Sequence, residues 1–352
     1  MPDVLLPFVF EGADVRDAVR GAVVNLDAAW REVLKRRSYP LAVRSLLGQA
    51  MAAGALLSST LKFDGTLVLQ TRAEDANAPV RLMVVECNAD LSMRATAKLG
   101  VALADSSPDG LPGSLPAASP DVLPADAGTL SNATGVTDLA SLVGAGKLVI
   151  TLDPHEDGKS AYQGVVPLEG DYLGAALENY MLRSEQLETR IFLAADENRA
   201  AGLLIQKMPD AGGHAKHGGK KDAAGAADVA HGADSTDAAS ASRWVDAEAL
   251  ASTITSQELL MLEPREILHR LFHEFDLRVF DARPAVFKCT CSRERVAGML
   301  RALGREEVDS VLVEQGAVTV NCEFCNQAYA FDPIDSAQLF TGSAGLESGA
   351  RH

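Results

Sequence analysis

Basic residues, cysteine and long apolar runs are all scarce in this sequence, and each shortage excludes a class of protein. The 352 residues include 32 Lys and Arg against 48 Asp and Glu, which gives a net charge of −16. A general nucleic-acid coat needs a basic face, so we expect no nucleic-acid partner. Five cysteines are too few for a disulfide scaffold. No uninterrupted apolar run reaches the ~18 residues of a membrane-spanning helix, so we expect no membrane partner.

The N-terminus carries no targeting pattern. An apolar run over residues 4–10 has no basic segment before it and no small-residue cleavage site after it. We therefore expect a cytoplasmic protein. Thiols are kept reduced in the cytosol, so grouped cysteines there indicate metal binding or redox chemistry rather than static disulfides.

Hydrophobic residues make up 47% of the chain, enough for a sizeable core, and the length suits about two domains. Apolar spacing predicts a first helix from Asp14 to Tyr39 and a second over residues 41–61, rich in small residues. Alternating segments then predict strands with one further helix. The strands are expected at 66–71, 80–86, 91–99, 147–152, 162–166, 188–195 and 201–207, and the helix at 172–182. Residues 1–208 are thus predicted to form an α+β domain of mixed helix and sheet.

Two segments are too polar and small-residue-rich to pack. Residues 105–138 are predicted to be a disordered insertion, and residues 209–242 a low-complexity linker. The linker contains His214, His217 and His231, for which a solvated role is favoured over metal binding.

The second half of the linker, residues 243–280, is predicted to be helical, with Thr255 and Glu258 in a capping-box pattern and Pro264 at a helix start. Its apolar stripe needs a partner surface, for which the first domain is the obvious candidate; the stripe consists of Ile267, Leu268, Leu271, Phe272 and Phe275. His269 and His273 are spaced i, i+4 and could hold a metal ion, although an exposed polar face accounts for the same spacing.

The pattern with the clearest chemistry lies in residues 281–342, a predicted small C-terminal domain followed by a tail, 343–352. Cys289 and Cys291 form a C-x-C pair, and Cys322 and Cys325 form a C-x-x-C pair. Zinc in structural sites takes four soft ligands at tetrahedral corners, which two such pairs supply. We therefore predict one Zn²⁺ per chain on these four thiolates.

The spacing leaves two roles open for this zinc. It is either a permanent staple for a domain too small to fold alone, or a switch whose thiols oxidise. Lys288, Arg293, Arg295 and a helix capped by Ser292 are expected to favour thiolate. Cys87 lies in an apolar strand and is expected to be a buried, inert thiol. We find no convincing catalytic triad or phosphate loop, and expect no enzyme.

The sequence resembles the redox-regulated heat shock protein 33 chaperone family, also called the 33 kDa chaperonin, over nearly its whole length. The similarity rests on five segments, which are 287–295 (FKCTCSRER), 322–325 (CEFC), 307–310 (EVDS), 180–187 (YMLRSEQL) and 80–98. The tracts 105–138 and 209–242 depart from the family pattern and resemble insertions.

The resemblance implies a redox-regulated, ATP-independent holdase. In the reduced, inactive form, one zinc is held by the four cysteines. Oxidants form the disulfides Cys289–Cys291 and Cys322–Cys325, zinc is released, and the C-terminal domain and linker unfold. The exposed apolar surface then binds unfolding client proteins, and the oxidised form is expected to be a homodimer.

Other classes of function remain open on the residues alone. One is a constitutive zinc-stapled protein that contacts nucleic acid or protein through the basic residues near Cys289. Another is a thiol–disulfide oxidoreductase that uses Cys322 and Cys325. A third is a chaperone that is active without any redox signal.

Overall fold

A computed structural model describes residues 1–11, 18–60, 64–100, 138–156, 158–208 and 236–341. Predictions for Asp14, for residues 105–137 and 209–235, and for the tail fall outside these ranges. Backbone contacts divide the chain into two units, Met1–Phe287 and Lys288–His352. The structure is a mixture of helices and sheets, as the α+β prediction requires, so this fold class is confirmed.

The first sheet of the N-terminal unit is antiparallel. Its strands lie in the order β10-β1-β2-β9-β8, with β11 also paired to β1. They are β1 Val4–Phe10, β2 Val19–Leu26, β8 Thr189–Ala195, β9 Ala200–Lys207, β10 Leu277–Val279 and β11 Arg283–Pro284.

The second sheet has the order β12-β5-β4-β3-β6-β7, antiparallel except for β12, which runs parallel to β5. Its strands are β3 Gly65–Ala73, β4 Val80–Asn88, β5 Ser92–Leu99, β6 Gly146–Pro154, β7 Tyr162–Pro167 and β12 Val286–Phe287.

Helix α2, Leu41–Thr60, contacts strands of both sheets and is buried along most of its length. Its glycines allow this close packing. A Cβ at Gly48 would lie 2.5 Å from the Cβ of Ala195 in the first sheet, and one at Gly54 would lie 3.0 Å from Val85 in the second. The prediction that its small residues serve close packing is confirmed.

By length and mean composition, α2 is also apolar enough to cross a membrane. It contains no uninterrupted apolar run of that length, because polar residues such as Arg44 and Gln49 interrupt it. However, 78% of its most apolar window is buried inside the protein. Packing between two sheets therefore accounts for its apolar character.

Four shorter helical elements lie between the strands of the two sheets. They are α1 Ala28–Arg36, α3 Leu139–Val143, α4 Leu173–Tyr180 and a π-helical turn at Met181–Glu185. The predicted first helix is wrong in its first half, where β2 stands instead. Since β2 is buried on both faces, its apolar residues do not alternate with polar ones, and its sequence imitates a helical pattern.

The described part of the linker, residues 236–280, contains three helices, α5 Thr236–Ala251, α6 Ser256–Met261 and α7 Pro264–Phe272. Helix α5 begins at Thr236, inside the segment 209–242 that is predicted to be a low-complexity linker. Thr255 and Glu258 form a capping box at α6, and Pro264 begins α7, both as their sequence predicts.

The linker helices cover one face of the first sheet. Phe8 and Val23 on that face join Trp244, Leu268 and Phe272 of the linker in one buried cluster. The opposite face of the same strands packs toward α2. The prediction that the apolar stripe of α7 packs on the first domain is therefore confirmed.

The C-terminal domain was predicted to begin at residue 281, whereas the contacts divide the chain after Phe287. The reason is that β11 and β12 pair with β1 and β5 of the N-terminal unit. The elements that follow are α8 Arg293–Leu303, α9 Arg305–Gln315, β13 Val318–Asn321, β14 Ala328–Phe331 and α10 Pro333–Thr341. Their core is small, and its buried residues are Ala297, Leu300, Val308, Val318 and Phe331.

Candidate metal centre

The C-x-x-C pair lies in the turn between β13 and β14. The Asn326 amide donates to the Cys322 carbonyl oxygen at 2.8 Å, and the Cys322 amide donates to Gln327 at 2.9 Å. Asn326 has a φ of 58°, in the left-handed region that Asn tolerates better than most residues. This tight turn brings the Cys322 and Cys325 side chains close together.

The C-x-C pair immediately precedes α8. Ser292 caps this helix by accepting a hydrogen bond from the Arg295 amide at 3.3 Å, and Gly304 ends it, as the sequence predicts. Cys289 and Cys291 therefore lie in the segment without regular secondary structure that leads into a capped helix start.

The fold brings the four cysteines together. Their Sγ atoms all lie within 4.8 Å of one another, an arrangement that could hold a metal ion. The Sγ atoms of Cys289 and Cys322 are 3.7 Å apart, and those of Cys291 and Cys325 are 3.3 Å apart. Four sulfurs at ~2.3 Å from a tetrahedral zinc would be separated by roughly 3.8 Å, so the cluster fits that ion in size as well as in ligand type.

Burial keeps two thiols of the metal-free cluster neutral. Burial raises the pKa of Cys322, and burial together with the neighbouring thiols raises that of Cys325 to about 12. Without a compensating positive charge, these two groups stay protonated at neutral pH. A divalent ion would supply that charge and convert them to thiolate ligands.

The basic residues expected to favour thiolate are directed elsewhere. Arg293 donates to the Ala330 carbonyl oxygen and to Asp335, both at 2.7 Å, and its guanidinium lies over the Phe331 ring. Arg295 donates to Thr290 Oγ1 at 2.8 Å. The Arg293 contacts join the start of α8 to β14 and α10, and the Arg295 contact fixes the segment between Cys289 and Cys291, so the two arginines support the site structurally.

Tyr329 is a residue of the site that the sequence analysis did not identify. Its hydroxyl donates to Cys291 Sγ at 3.1 Å, and this contact raises the pKa of Tyr329 to about 12. The sequence feature that could have indicated Tyr329 is an aromatic residue in the strand after the C-x-x-C turn, four positions beyond Cys325.

The remaining candidates lie apart from the cluster. Cys87 is fully buried in β4, and burial raises its pKa to about 12, so the expectation of a buried thiol is confirmed. His269 and His273 share an exposed face of α7. His214, His217 and His231 lie outside the described residues. Among those described, the four cysteines are the single group of three or more metal-ligating side chains.

The chain is similar to known proteins of one family over nearly its whole length. Residues 3–332 match the family model described as Hsp33 protein. The chain is 42% identical to the 33 kDa chaperonin of Chromobacterium violaceum over 339 residues, 96% of this chain and 94% of that protein. It is 40% identical to the 33 kDa chaperonin of Methylobacillus flagellatus over 340 residues, again 96% and 94%.

A solved structure shows the same fold at lower identity. The crystal structure of the 33 kDa chaperonin from Thermotoga maritima matches with a TM-score of 0.68 and 20% identity. The match covers 95% of this chain and 97% of that one.

Proposed function

The chain belongs to the Hsp33 family, and from that premise we propose that it is a redox-regulated chaperone that holds unfolding client proteins without ATP. The observation that carries the proposal is the four-cysteine cluster in a unit with a very small apolar core. In this proposal Cys289, Cys291, Cys322 and Cys325 hold one zinc ion in the reduced, inactive protein.

The zinc is proposed to supply folding free energy to the C-terminal unit. A core of five buried residues stabilises a unit of this size weakly. A structural zinc contributes about 10–16 kcal/mol in small zinc domains, because the ligands assemble only in the folded state. Loss of the thiolates would therefore unfold the segment that carries them.

Oxidation removes those ligands in pairs. Two thiols give up two electrons and two protons to peroxide, which is reduced to water while a disulfide forms. We propose the pairs Cys289–Cys291 and Cys322–Cys325. In the folded site, Sγ–Sγ distances of 3.7 and 3.3 Å also join cysteines of different pairs, Cys289 to Cys322 and Cys291 to Cys325. In an unfolding segment, however, cysteines close in sequence meet more often.

The covered face of the first sheet is the surface that this switch would expose. Phe8, Phe10 and Val23 are buried under the linker helices, together with Ile267 and Phe272. Release of the linker would open an apolar patch continuous enough to bind unfolded chains. The same patch would allow two oxidised copies to associate, which accounts for the proposed homodimer.

The proposal places the protein in the cytoplasm, where a reduced resting state is maintained. It assigns no enzymatic reaction to the chain. Nucleic acid and membranes are not proposed as partners, because the net charge of −16 opposes binding to anionic surfaces.

The decisive experiment measures bound zinc and suppression of client aggregation on the same samples, before and after peroxide at raised temperature and without ATP. We expect about one zinc to be released per chain as activity appears, and reductant with zinc to reverse both. Zinc retained after peroxide, or released with no gain of activity, would leave a structural staple and refute the switch. Activity already present in the reduced protein would favour a constitutive chaperone.

A further inference from the structure

Two imidazoles lie side by side at the C-terminal end of α7, where His269 is in the last turn and His273 is the helix-ending residue that follows Phe272 with helical backbone angles. His269 and His273 are both exposed, and their rings are 6.0 Å apart between centroids with planes inclined by 29°. Side chains at i and i+4 lie one above the other along a helix, so this proximity is fixed by the helical backbone. In an extended or unfolded chain, the two rings would no longer be held together.

The distance suits two ligands of one ion. Imidazole nitrogens bind zinc and related ions at about 2.1 Å, which puts the centroids of two rings on one ion roughly 5 Å apart. Small side-chain rotations would bring the observed rings to that separation. Neither ring is packed in the core, so these rotations meet little resistance.

A carboxylate lies near the two histidines. Glu266 borders the same shallow cleft as both of them, and its negative charge favours a cation there, although the three side chains are not close enough to form a three-ligand cluster as placed. Arg270 also borders this cleft, but it forms an ion pair with Glu258, which offsets its charge. Water can complete the coordination of an ion on this open face.

We propose that His269 and His273 form a second metal site, separate from the cysteine cluster, for a divalent ion that prefers nitrogen ligands, such as Ni²⁺, Cu²⁺ or Zn²⁺. The site exists only while α7 is helical. A bound ion therefore stabilises the folded α7, which is the helix whose other face covers the first sheet. Metal availability would in this way oppose release of the linker, a consequence that rests on the proposed function.

The direct test is titration of Ni²⁺ into the reduced, full-length protein whose cysteine cluster is loaded with zinc. Because His214, His217 and His231 can also bind Ni²⁺, the titration uses a background in which these three are alanine. We expect one Ni²⁺ per chain, with affinity reduced at least about tenfold by either His269→Ala or His273→Ala, because the second imidazole acts as an intramolecular ligand.

A shifted variant separates geometry from histidine content. His273→Ala combined with Glu274→His keeps two histidines at the C-terminal end of α7 but changes their spacing from i, i+4 to i, i+5, which moves one away from the other. We expect this variant to bind as weakly as His273→Ala, and His155→Ala to bind as tightly as the background protein. Undiminished affinity in the shifted variant would overturn the site.

Hydrogen exchange and activation test the consequence of binding. Ni²⁺ should slow amide exchange in α7 of the background protein and leave the shifted variant unchanged; binding without slower exchange would overturn the stabilising role. Ni²⁺ should also delay the gain of holdase activity after peroxide. If peroxide yields no activity with or without Ni²⁺, the proposed function fails while the metal site is judged on the titration alone.

Discussion

Arg190 of β8 binds Glu248 of the linker helix α5 and Glu178 of α4 at the same time. Its Nε donates to Glu248 Oε1 at 2.6 Å, and its Nη1 donates to Glu178 Oε2 at 3.0 Å. The other Glu178 oxygen accepts the Ile191 amide at 2.8 Å, and burial raises the pKa of Glu178. This guanidinium therefore ties the linker to the body of the N-terminal unit by a polar contact beside the apolar one.

Substituting Glu248→Gln should loosen α5. The partners are partly exposed, so we expect a loss of about 0.2–1 kcal/mol of docking free energy and up to about fivefold faster amide exchange in α5. A double-mutant cycle with Arg190→Met isolates the pair from other effects of each change. Purely additive effects of the two substitutions would show that the contact does not hold the linker.

Substituting Phe272→Ala should undock the linker more strongly. Phe272 is 1% exposed and packs edge-on against Phe10 with ring centroids 5.0 Å apart. Truncation of a buried Phe costs about 3–5 kcal/mol. We expect measurable suppression of client aggregation under reducing conditions, in which the proposed function leaves the unaltered protein inactive. Met261→Ala, at a side chain that is 65% exposed, is the matched control and should stay inactive.

Substituting Cys289→Ser should abolish stable zinc binding and unfold the C-terminal unit. One of four ligands is lost, and the small core after Lys288 cannot compensate. Zinc content and hydrogen exchange along the chain measure both effects, and Cys87→Ser is the control that keeps the cluster intact. Unchanged zinc stoichiometry in Cys289→Ser would remove this residue from the site.

Substituting Tyr329→Phe should make the cluster more reactive. The change removes the hydroxyl that donates to Cys291 Sγ at 3.1 Å, and a hydrogen bond to a thiolate lowers its nucleophilicity. We expect faster zinc release under peroxide, followed with a colorimetric zinc chelator. Tyr162→Phe, at an exposed tyrosine of β7, should release zinc at the original rate. Equal rates in both variants would show that the Tyr329 hydroxyl has no influence on the thiols.

The buried thiol of Cys87 should produce alkaline destabilisation. Burial raises its pKa from 9.0 to about 12, so the folded state keeps the proton that the unfolded state releases. The stabilising contribution is complete below pH 9.0 and is lost as pH rises toward the folded pKa, by about 1.4 kcal/mol per pH unit. Urea unfolding of the protein and of Cys87→Ala over this range should show a shallower decline in the variant. Parallel declines would assign the alkaline loss to other groups.

Local signals predicted much of this structure. Ser292, Thr255 and Pro264 cap or begin their helices as expected, because capping depends on groups within a few residues. The two cysteine pairs could be recognised as one metal site because their residue types and spacing match a ligand set. Strands β3 to β7 of the second sheet were also recoverable, since each alternates or forms an apolar run, whereas the two-residue strand β12 was not predicted.

One strand buried on two sides, β2, was not predicted correctly. Val19 and Val23 appeared helical because β2 is covered both by α2 and by the linker helices, which erases the alternation that marks a strand. Burial on both faces arises only when the layers assemble, so it cannot be recognised from a short window of sequence.

The sequence by itself determined the chemistry of this protein. Cys289, Cys291, Cys322 and Cys325 supply a soft, four-ligand set, and their pairing in the chain is readable without coordinates. Only the tertiary structure decided which groups surround these ligands. Arg293 donates a hydrogen bond to Asp335, and Tyr329 donates one to Cys291. Arg190 binds Glu248 of the linker. The reason is physical, because ligand preference belongs to the side chain itself, whereas contacts over 30 or more residues exist only after the layers have packed.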